Sequence, residues 1–257
     1  MTIELIWVAL GGLVIGSFLN VVIYRLPRKM SIISPRSHCP NCKVNISWRN
    51  NIPVLSYLLN RGVCSACSSK ISFRYPLVEL ITAVLFLTVA LRSGLTPVAI
   101  FKWMVFAAGC IAIVFIDIEH RIIPDKLSLG GMVYGVIVTL LLDSDFFYTG
   151  LMGGLFGFGF FYLTALLYQM ISGRSGLGGG DIKLLGAFGV FLGPLGVFYI
   201  ILVSSLVGSV WGLIVSRSSK DTRIGQVAIP YGPFLVIGAL VYYHFGDFLW
   251  LQYTKPI

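Results

Sequence analysis

Two aspartates stand where apolar runs meet polar ones. Asp117 closes the run Ala112 to Ile116, and Asp181 opens another behind Gly176, Gly178, Gly179 and Gly180. Charged side chains near a membrane span are costly and are usually paired or set beside water. A pair of carboxylates sharing one proton has a specific use. Peptide hydrolysis needs one group to take a proton from water and a protonated partner to polarise the carbonyl and protonate the leaving amine. Such groups titrate as a pair. The spacing leaves a second reading open, in which each aspartate caps a helix or pairs with Lys183, Arg121 or Lys126.

Four cysteines offer different chemistry. Cys39, Cys42, Cys64 and Cys67 form two CxxC pairs 21 residues apart, flanked by the turn formers Pro40, Asn41 and Gly62. This spacing matches a four-thiolate zinc site, slightly longer than usual, and four protein ligands leave no open position for catalysis, so the metal would be structural. Two disulfides are the alternative, and a reducing compartment disfavours them. His38 could replace a thiolate, although a solvent-facing role suits it better. Cys110, alone in an apolar run, reads as a packing residue.

The elements that carry these groups are membrane helices. Of the 257 residues, 57% are apolar and 11% charged, well outside the balance of soluble domains. Apolar runs cover Leu5 to Tyr24, Pro76 to Leu91, Val98 to Ile116, Leu127 to Leu142, Phe146 to Ile171, Ile182 to Gly193, Leu195 to Ser216 and Ala228 to Phe245, about eight crossings. The expected fold is an all-α polytopic membrane protein with a small zinc-ribbon-like insertion after the first helix. Three regions follow: residues 1–24, the four-cysteine insertion 25–75, and the membrane-embedded remainder 76–257. Glu4 precedes the first run where a cleaved signal would be basic, so that run reads as a retained helix.

Charge sets the orientation. Arg25 through Arg74 holds nine basic residues and no acidic one, which places the insertion in the cytoplasm. With alternating segments, Arg121, Lys126, Arg174, Lys183, Arg217, Lys220 and Arg223 also fall inside, leaving Arg92, Lys102 and Lys255 outside. The formal charge of +9 is thereby explained by topology and by attraction to the lipid bilayer, without nucleic acid. Glu4, Asp143, Asp145, Asp221 and Asp247 fall at ends or loops, whereas Glu79, Glu119 and Asp125 join the two aspartates at cytoplasmic helix ends. The arm from Ile182 to the turn at Gly193 and Pro194 is only about 18 Å of helix, which puts Asp181 below the cytoplasmic surface if the turn reaches the outer one. The glycine loop before it then borders water. The run Gly150 to Gly159 reads as a close helix-packing face. His120, one turn beyond Asp117, reads as a boundary residue.

The motifs, taken in order, resemble the bacterial type IV prepilin peptidases, a GxGD aspartic protease family. Gly178 to Asp181 supplies the GxGD signature, and Asp117-Ile-Glu-His-Arg-Ile-Ile-Pro124-Asp125 resembles its partner motif. Gly16 to Pro27, Pro35, Cys39 to Cys42, Asn51 to Pro53, Ser56-Tyr57, Arg61-Gly62 and Arg74 to Glu79 are similar to that family's cytoplasmic domain. Ser128 and Gly130 depart from the common pattern without touching a catalytic group. The resemblance implies cleavage of a basic leader after glycine in prepilins or pseudopilins, at the cytoplasmic face of the bacterial inner membrane, for type IV pili or type II secretion. It implies Asp117 and Asp181 as catalytic residues, with Gly178, Gly180, Lys183, Pro124 and Asp125 in the surrounding loops. It also implies N-methylation of the new terminus with S-adenosylmethionine in the N-terminal half. No GxGxxG motif follows a strand, so the donor site has no assignment from the residues.

Two rival classes use the same features. A cation-coupled transporter would place its carboxylates near mid-depth in two related halves, and no pseudo-repeat is visible. A non-enzymatic assembly factor would use the cysteine insertion for docking and would not need the aspartates.

Overall fold

The computed structural model describes residues 2–173, 176–218 and 230–254, with side chains for 3–173, 176–215 and 230–246. Arg174, Lys220, Asp221, Arg223 and Lys255 lie outside the described residues, as do the first residues of the expected Ala228 to Phe245 run and the side chains of Arg217 and Asp247. The chain is an all-helical, polytopic membrane protein with a cysteine-rich loop. Among the described residues, six helices are long and apolar enough to cross a bilayer, and a further apolar helix, Gly232–Gly246, is shorter. Internal contacts divide the chain into two units, Met1–Phe115 and Ile116–Ile257.

In the first unit, α1 (Thr2–Arg25) packs against α3 (Arg74–Ser93). The seam is antiparallel. A β-carbon on Gly12 would come 2.6 Å from Ala83 Cα, one on Gly16 would come 2.6 Å from Glu79 Cα, and Asn20 Nδ2 donates to the Tyr75 carbonyl at 3.0 Å. Small residues four apart let the two backbones touch, which is how helices gain contact where no water is expelled. The segment between them is not shapeless. It carries a 3₁₀ turn, Trp48–Asn51, and a short α2, Leu55–Leu59, and the buried Arg25 side chain anchors its start through the Ser31 and Pro35 carbonyls at 2.9 and 2.7 Å. A π-helical stretch, Ala99–Met104, leads into α4, Val105–His120. Cys110 is buried on α4, as a packing residue should be. Lys102, one of the few basic residues expected outside, is buried, with Nζ 4.9 Å from the Trp103 ring centroid.

The second unit takes the last turn of α4, then α5 (Asp125–Leu142), α6 (Phe147–Ser172), α7 (Gly179–Ser218) and α8 (Gly232–Thr254). Apolarity alone suggested an end at Ile116, but α4 continues through Asp117 to His120. Its last turn closes when the Arg121 N–H donates to the Asp117 carbonyl at 2.8 Å, and Arg121 then leaves the helix at φ 54. A change in side-chain polarity marks the membrane boundary, whereas backbone bonding decides where the helix stops.

Although continuous in the chain, α7 is two arms. Gly193 has φ 73 and ψ 179, and Pro194 follows it. A β-carbon on Gly157 of α6 would come 2.6 Å from the Leu185 carbonyl oxygen on the first arm and 3.2 Å from Val197 Cγ2 on the second. In one straight helix those two positions would lie about 18 Å apart along the axis. The chain therefore reverses at Gly193, and both arms lie along α6. Gly150, Gly153, Gly154 and Gly157 form the seam, facing the backbone of residues 185–193 as the expected packing face requires. Gly159 faces open space.

Gly153 and Gly189 touch backbone to backbone, so a side chain on either must push the helices apart. Gly153→Val or Gly189→Val is expected to cost about 3 kcal/mol or more, measured as loss of folded yield and a lower unfolding midpoint in detergent. Gly159→Ala, with nothing near its β-carbon, is expected to leave both unchanged.

Candidate active site and cysteine cluster

Asp117 sits in the last turn of α4 and is 4% exposed. Such burial requires a partner, and the Gly232 N–H at the start of α8 donates to Asp117 Oδ2 at 2.9 Å. The start of α8 is itself tethered, because the Tyr231 hydroxyl lies 2.9 Å from the buried Ser204 hydroxyl on the second arm of α7. The Tyr231 ring also packs near Phe161 of α6, with centroids 6.4 Å apart.

Asp181 stands in the first turn of α7, half-buried, with its N–H donating to the Gly178 carbonyl at 3.0 Å. The aspartate side chain lies back over Gly178, where a β-carbon would come 2.8 Å from Oδ2. The stretch 121–124 follows α4, and its Ile123 lies near glycines beside both aspartates. A β-carbon on Gly232 would come 3.3 Å from Ile123 Cδ1, and one on Gly180 would come 3.0 Å from Ile123 Cβ. The residue gripping Asp117 and the residue preceding Asp181 thus share one neighbour. The two carboxylates lie within electrostatic reach of each other.

Pro124, in extended conformation, opens α5, and Asp125 is its first residue. Lys183 Nζ donates to Asp125 Oδ1 at 2.7 Å, tying the start of α7 to the start of α5. Both side chains are partly exposed, so the pair contributes less than about 1 kcal/mol to stability and acts mainly on position. Of the basic partners weighed for the aspartates, Lys183 therefore pairs with Asp125 among the described contacts. Of the other residues expected around the aspartates, Gly178 lies against Asp181, Gly180 precedes it and faces Ile123, and Lys183, Asp125 and Pro124 lie where the starts of α7 and α5 are tied together. Gly232, Tyr231 and Ile123 were not singled out in the sequence; the pair Gly232-Pro233 inside the last apolar run is a local signal that could have drawn notice to the first of them.

In the first unit, the four cysteine sulfurs lie within 4.8 Å of one another. Two similar turns present them. The Cys39 carbonyl accepts from the Lys43 N–H and the Cys64 carbonyl from the Ser68 N–H, at 2.9 and 2.8 Å, and Lys43 and Ser68 take φ 61 and 57. Amides of Cys42 and Asn41, with the Ser69 hydroxyl, lower the Cys39 thiol to about 6, and Ser69 also lowers Cys67. All four thiols are free, and sulfurs around a tetrahedral zinc are spaced by about 3.8 Å, so this donor set fits such an ion. His38 is not among the clustered groups; its Nδ1 lies 3.1 Å from the Arg36 carbonyl.

Comparison with known proteins gives these sites a context. Residues 10–93 match the family described as bacterial peptidase A24 N-terminal domain, and residues 104–213 match the type IV leader peptidase family. A prepilin leader peptidase/N-methyltransferase of Neisseria gonorrhoeae is 35% identical, over 94% of this chain and 91% of the relative. The chain belongs to the type IV leader peptidase family. Similar relatives include a type 4 prepilin-like proteins leader peptide-processing enzyme of Escherichia coli O78:H11 (strain H10407 / ETEC), 36% identical over 90% of each chain. A prepilin leader peptidase/N-methyltransferase of Bacillus subtilis (strain 168) is 32% identical over 95% of each chain. No solved structure matches. As a leader peptidase, the chain has both aspartates inside the matched region 104–213, while Gly232 lies beyond it.

The Gly232 contact makes a direct test possible. A β-carbon there would come 2.8 Å from Asp117 Oδ2, so Gly232→Ala is expected to displace that carboxylate and slow leader cleavage by about tenfold or more. Gly208→Ala is expected to cleave at the wild-type rate, since its β-carbon would make only ordinary contacts, 3.5 Å or longer.

Proposed function

We propose that this chain removes the basic leader from prepilins or pseudopilins with Asp117 and Asp181 as its catalytic pair, and then methylates the new N-terminal amine. The observation that carries the first half is that one residue, Ile123, lies against both the glycine whose N–H holds Asp117 and the glycine that precedes Asp181, with the two carboxylates in electrostatic reach of each other. The pair holds one proton between two carboxylates. The ionised member takes a proton from water as the water oxygen attacks the scissile carbonyl, and the protonated member hydrogen-bonds the carbonyl oxygen. Collapse of the tetrahedral intermediate breaks the C–N bond and delivers a proton to the departing amine. Gly178 and Gly180 keep the loop narrow enough for substrate backbone to approach, and the Lys183–Asp125 pair with Pro124 fixes where α5 and α7 begin.

The site faces the cytoplasm, with the four-cysteine loop on the same side, as the basic residues of Arg25 to Arg74 require in the bacterial inner membrane. The chain then crosses eight times, the two arms of α7 counting separately and α8 completing the set. Zinc holds Cys39, Cys42, Cys64 and Cys67 as a zinc-ribbon-like fold and takes no part in cleavage. Methylation draws on S-adenosylmethionine, which supplies an electrophilic methyl group, and it belongs to the N-terminal half.

Asp117→Asn and Asp181→Asn are each expected to lower leader cleavage in proteoliposomes by about 10³-fold or more; wild-type cleavage by either variant would exclude the pair. For the metal, purified protein is expected to contain about one zinc per chain by elemental analysis. Cys39→Ser should lose the zinc and reduce folded yield, while the protein that does fold still cleaves.

A further inference from the structure

The first unit buries a carboxylate that leader cleavage does not use. Glu79, in the second turn of α3, is 7% exposed, with Oε2 accepting the Val54 N–H at 2.7 Å and the carboxylate also bonded to Ser17 of α1. One turn along the same seam is Asn20, 3% exposed. Its Nδ2 donates to the Gly16 and Tyr75 carbonyls at 3.3 and 3.0 Å, which fixes which end of the amide is nitrogen. Asn20 Oδ1 is left buried with no hydrogen-bond partner among the described residues. A buried acceptor without a donor calls for an explanation. The donor now on Glu79 is also unusual, because Val54 is β-branched and takes φ 59 and ψ −50, where such residues are rare.

The ligand this cluster suits is narrow in kind. Glu79 and Asn20 Oδ1 can only accept, and Ser17 can accept as well. Magnesium or calcium would need about six oxygen ligands, more than these three groups offer. A primary ammonium, compact, positive and carrying three N–H donors, matches three acceptors.

We propose that Glu79, Asn20 and Ser17 seat the new N-terminal ammonium of the cleaved substrate for methylation. The inference rests on the methyl-transfer reading given above. The ammonium displaces the Val54 N–H from Glu79 and satisfies Asn20 Oδ1. Glu79 then takes one proton, and the freed nitrogen lone pair forms a bond to the methyl carbon of the sulfonium donor. The carbon–sulfur bond breaks with its electrons going to sulfur, which leaves a neutral thioether and a methylated ammonium. Glu79 passes its proton to solvent. Glu79 is thus a catalytic residue for methylation, and Asn20 is a binding residue.

The test uses the full chain in nanodiscs and a synthetic product peptide, with a free or an acetylated N-terminus. Wild type is expected to bind the free amine about tenfold or more tighter. Glu79→Gln still offers Val54 an acceptor but carries no charge. It should bind both peptides alike and add methyl, measured by mass spectrometry, about 100-fold more slowly. Asn20→Leu should reduce the preference about fivefold. Equal binding of both peptides by wild type, or wild-type preference and methylation by Glu79→Gln, overturns the proposal. A wild-type enzyme that prefers the free amine yet adds no methyl with donor present overturns the methyl-transfer reading itself, and with it the role of Glu79.

Discussion

A carboxylate buried at the end of a membrane helix must be given a donor, and the donor of Asp117 comes from 115 residues away in the chain. The arrangement of the second unit follows from that requirement. Gly232 can donate only if α8 begins beside the last turn of α4, and α8 begins there because Tyr231 is held by Ser204 on the returning arm of α7. That arm returns because Gly193 reverses the chain, and the reversal is tolerated because α6 presents glycines along which both arms can lie. The same reversal makes the first arm short and sets Asp181 at its start. One electrostatic demand and one packing seam therefore account for how aspartates 64 residues apart come within electrostatic reach of each other.

The first unit solves a related problem differently. There the buried polar groups sit on a seam between α1 and α3 that glycines make close, and the partners of Glu79 come from the loop segment and from α1. Arg25 plays the matching part at the end of α1, where two backbone carbonyls of the following loop surround its guanidinium. The loop is thus folded onto the helices by backbone hydrogen bonds to charged side chains, and its outer part is organised by two similar cysteine turns.

Much of this was legible in the sequence, and the reasons are local. Helix positions follow from apolar runs, the turn at Gly193 from a glycine–proline pair, the α6 seam from the spacing of glycines, and the cysteine cluster from paired CxxC motifs. What was not legible depends on contacts between distant residues. Nothing local to Tyr231 or Gly232 reveals that they meet Ser204 and Asp117, and nothing local to Val54 reveals that Glu79 holds its N–H. Hydropathy alone does not distinguish one long helix from two arms, since residues 179–215 are apolar throughout; the glycine–proline pair marks the break, and the contacts of Leu185 and Val197 with the same glycine show that the chain reverses there.

The family assignment and the geometry bear on different questions. Similarity over nearly the whole chain identifies the family, yet it says nothing about why a membrane protein should retain Glu79, Asn20 and Asp117 as buried polar groups. Each such group costs folding energy unless a partner compensates it. Asp117 has its compensation in a backbone amide, which among the described residues engages one of its two oxygens. Glu79 has its compensation in a strained backbone N–H and in Ser17, and Asn20 Oδ1 has none among the described residues. Polar groups that are compensated only in part mark the places where a bound molecule can supply the remainder. In each unit, taken by itself, those places coincide with a break in helical structure: the stretch 121–124 beside Asp117, and the bend at Val54 beside Glu79.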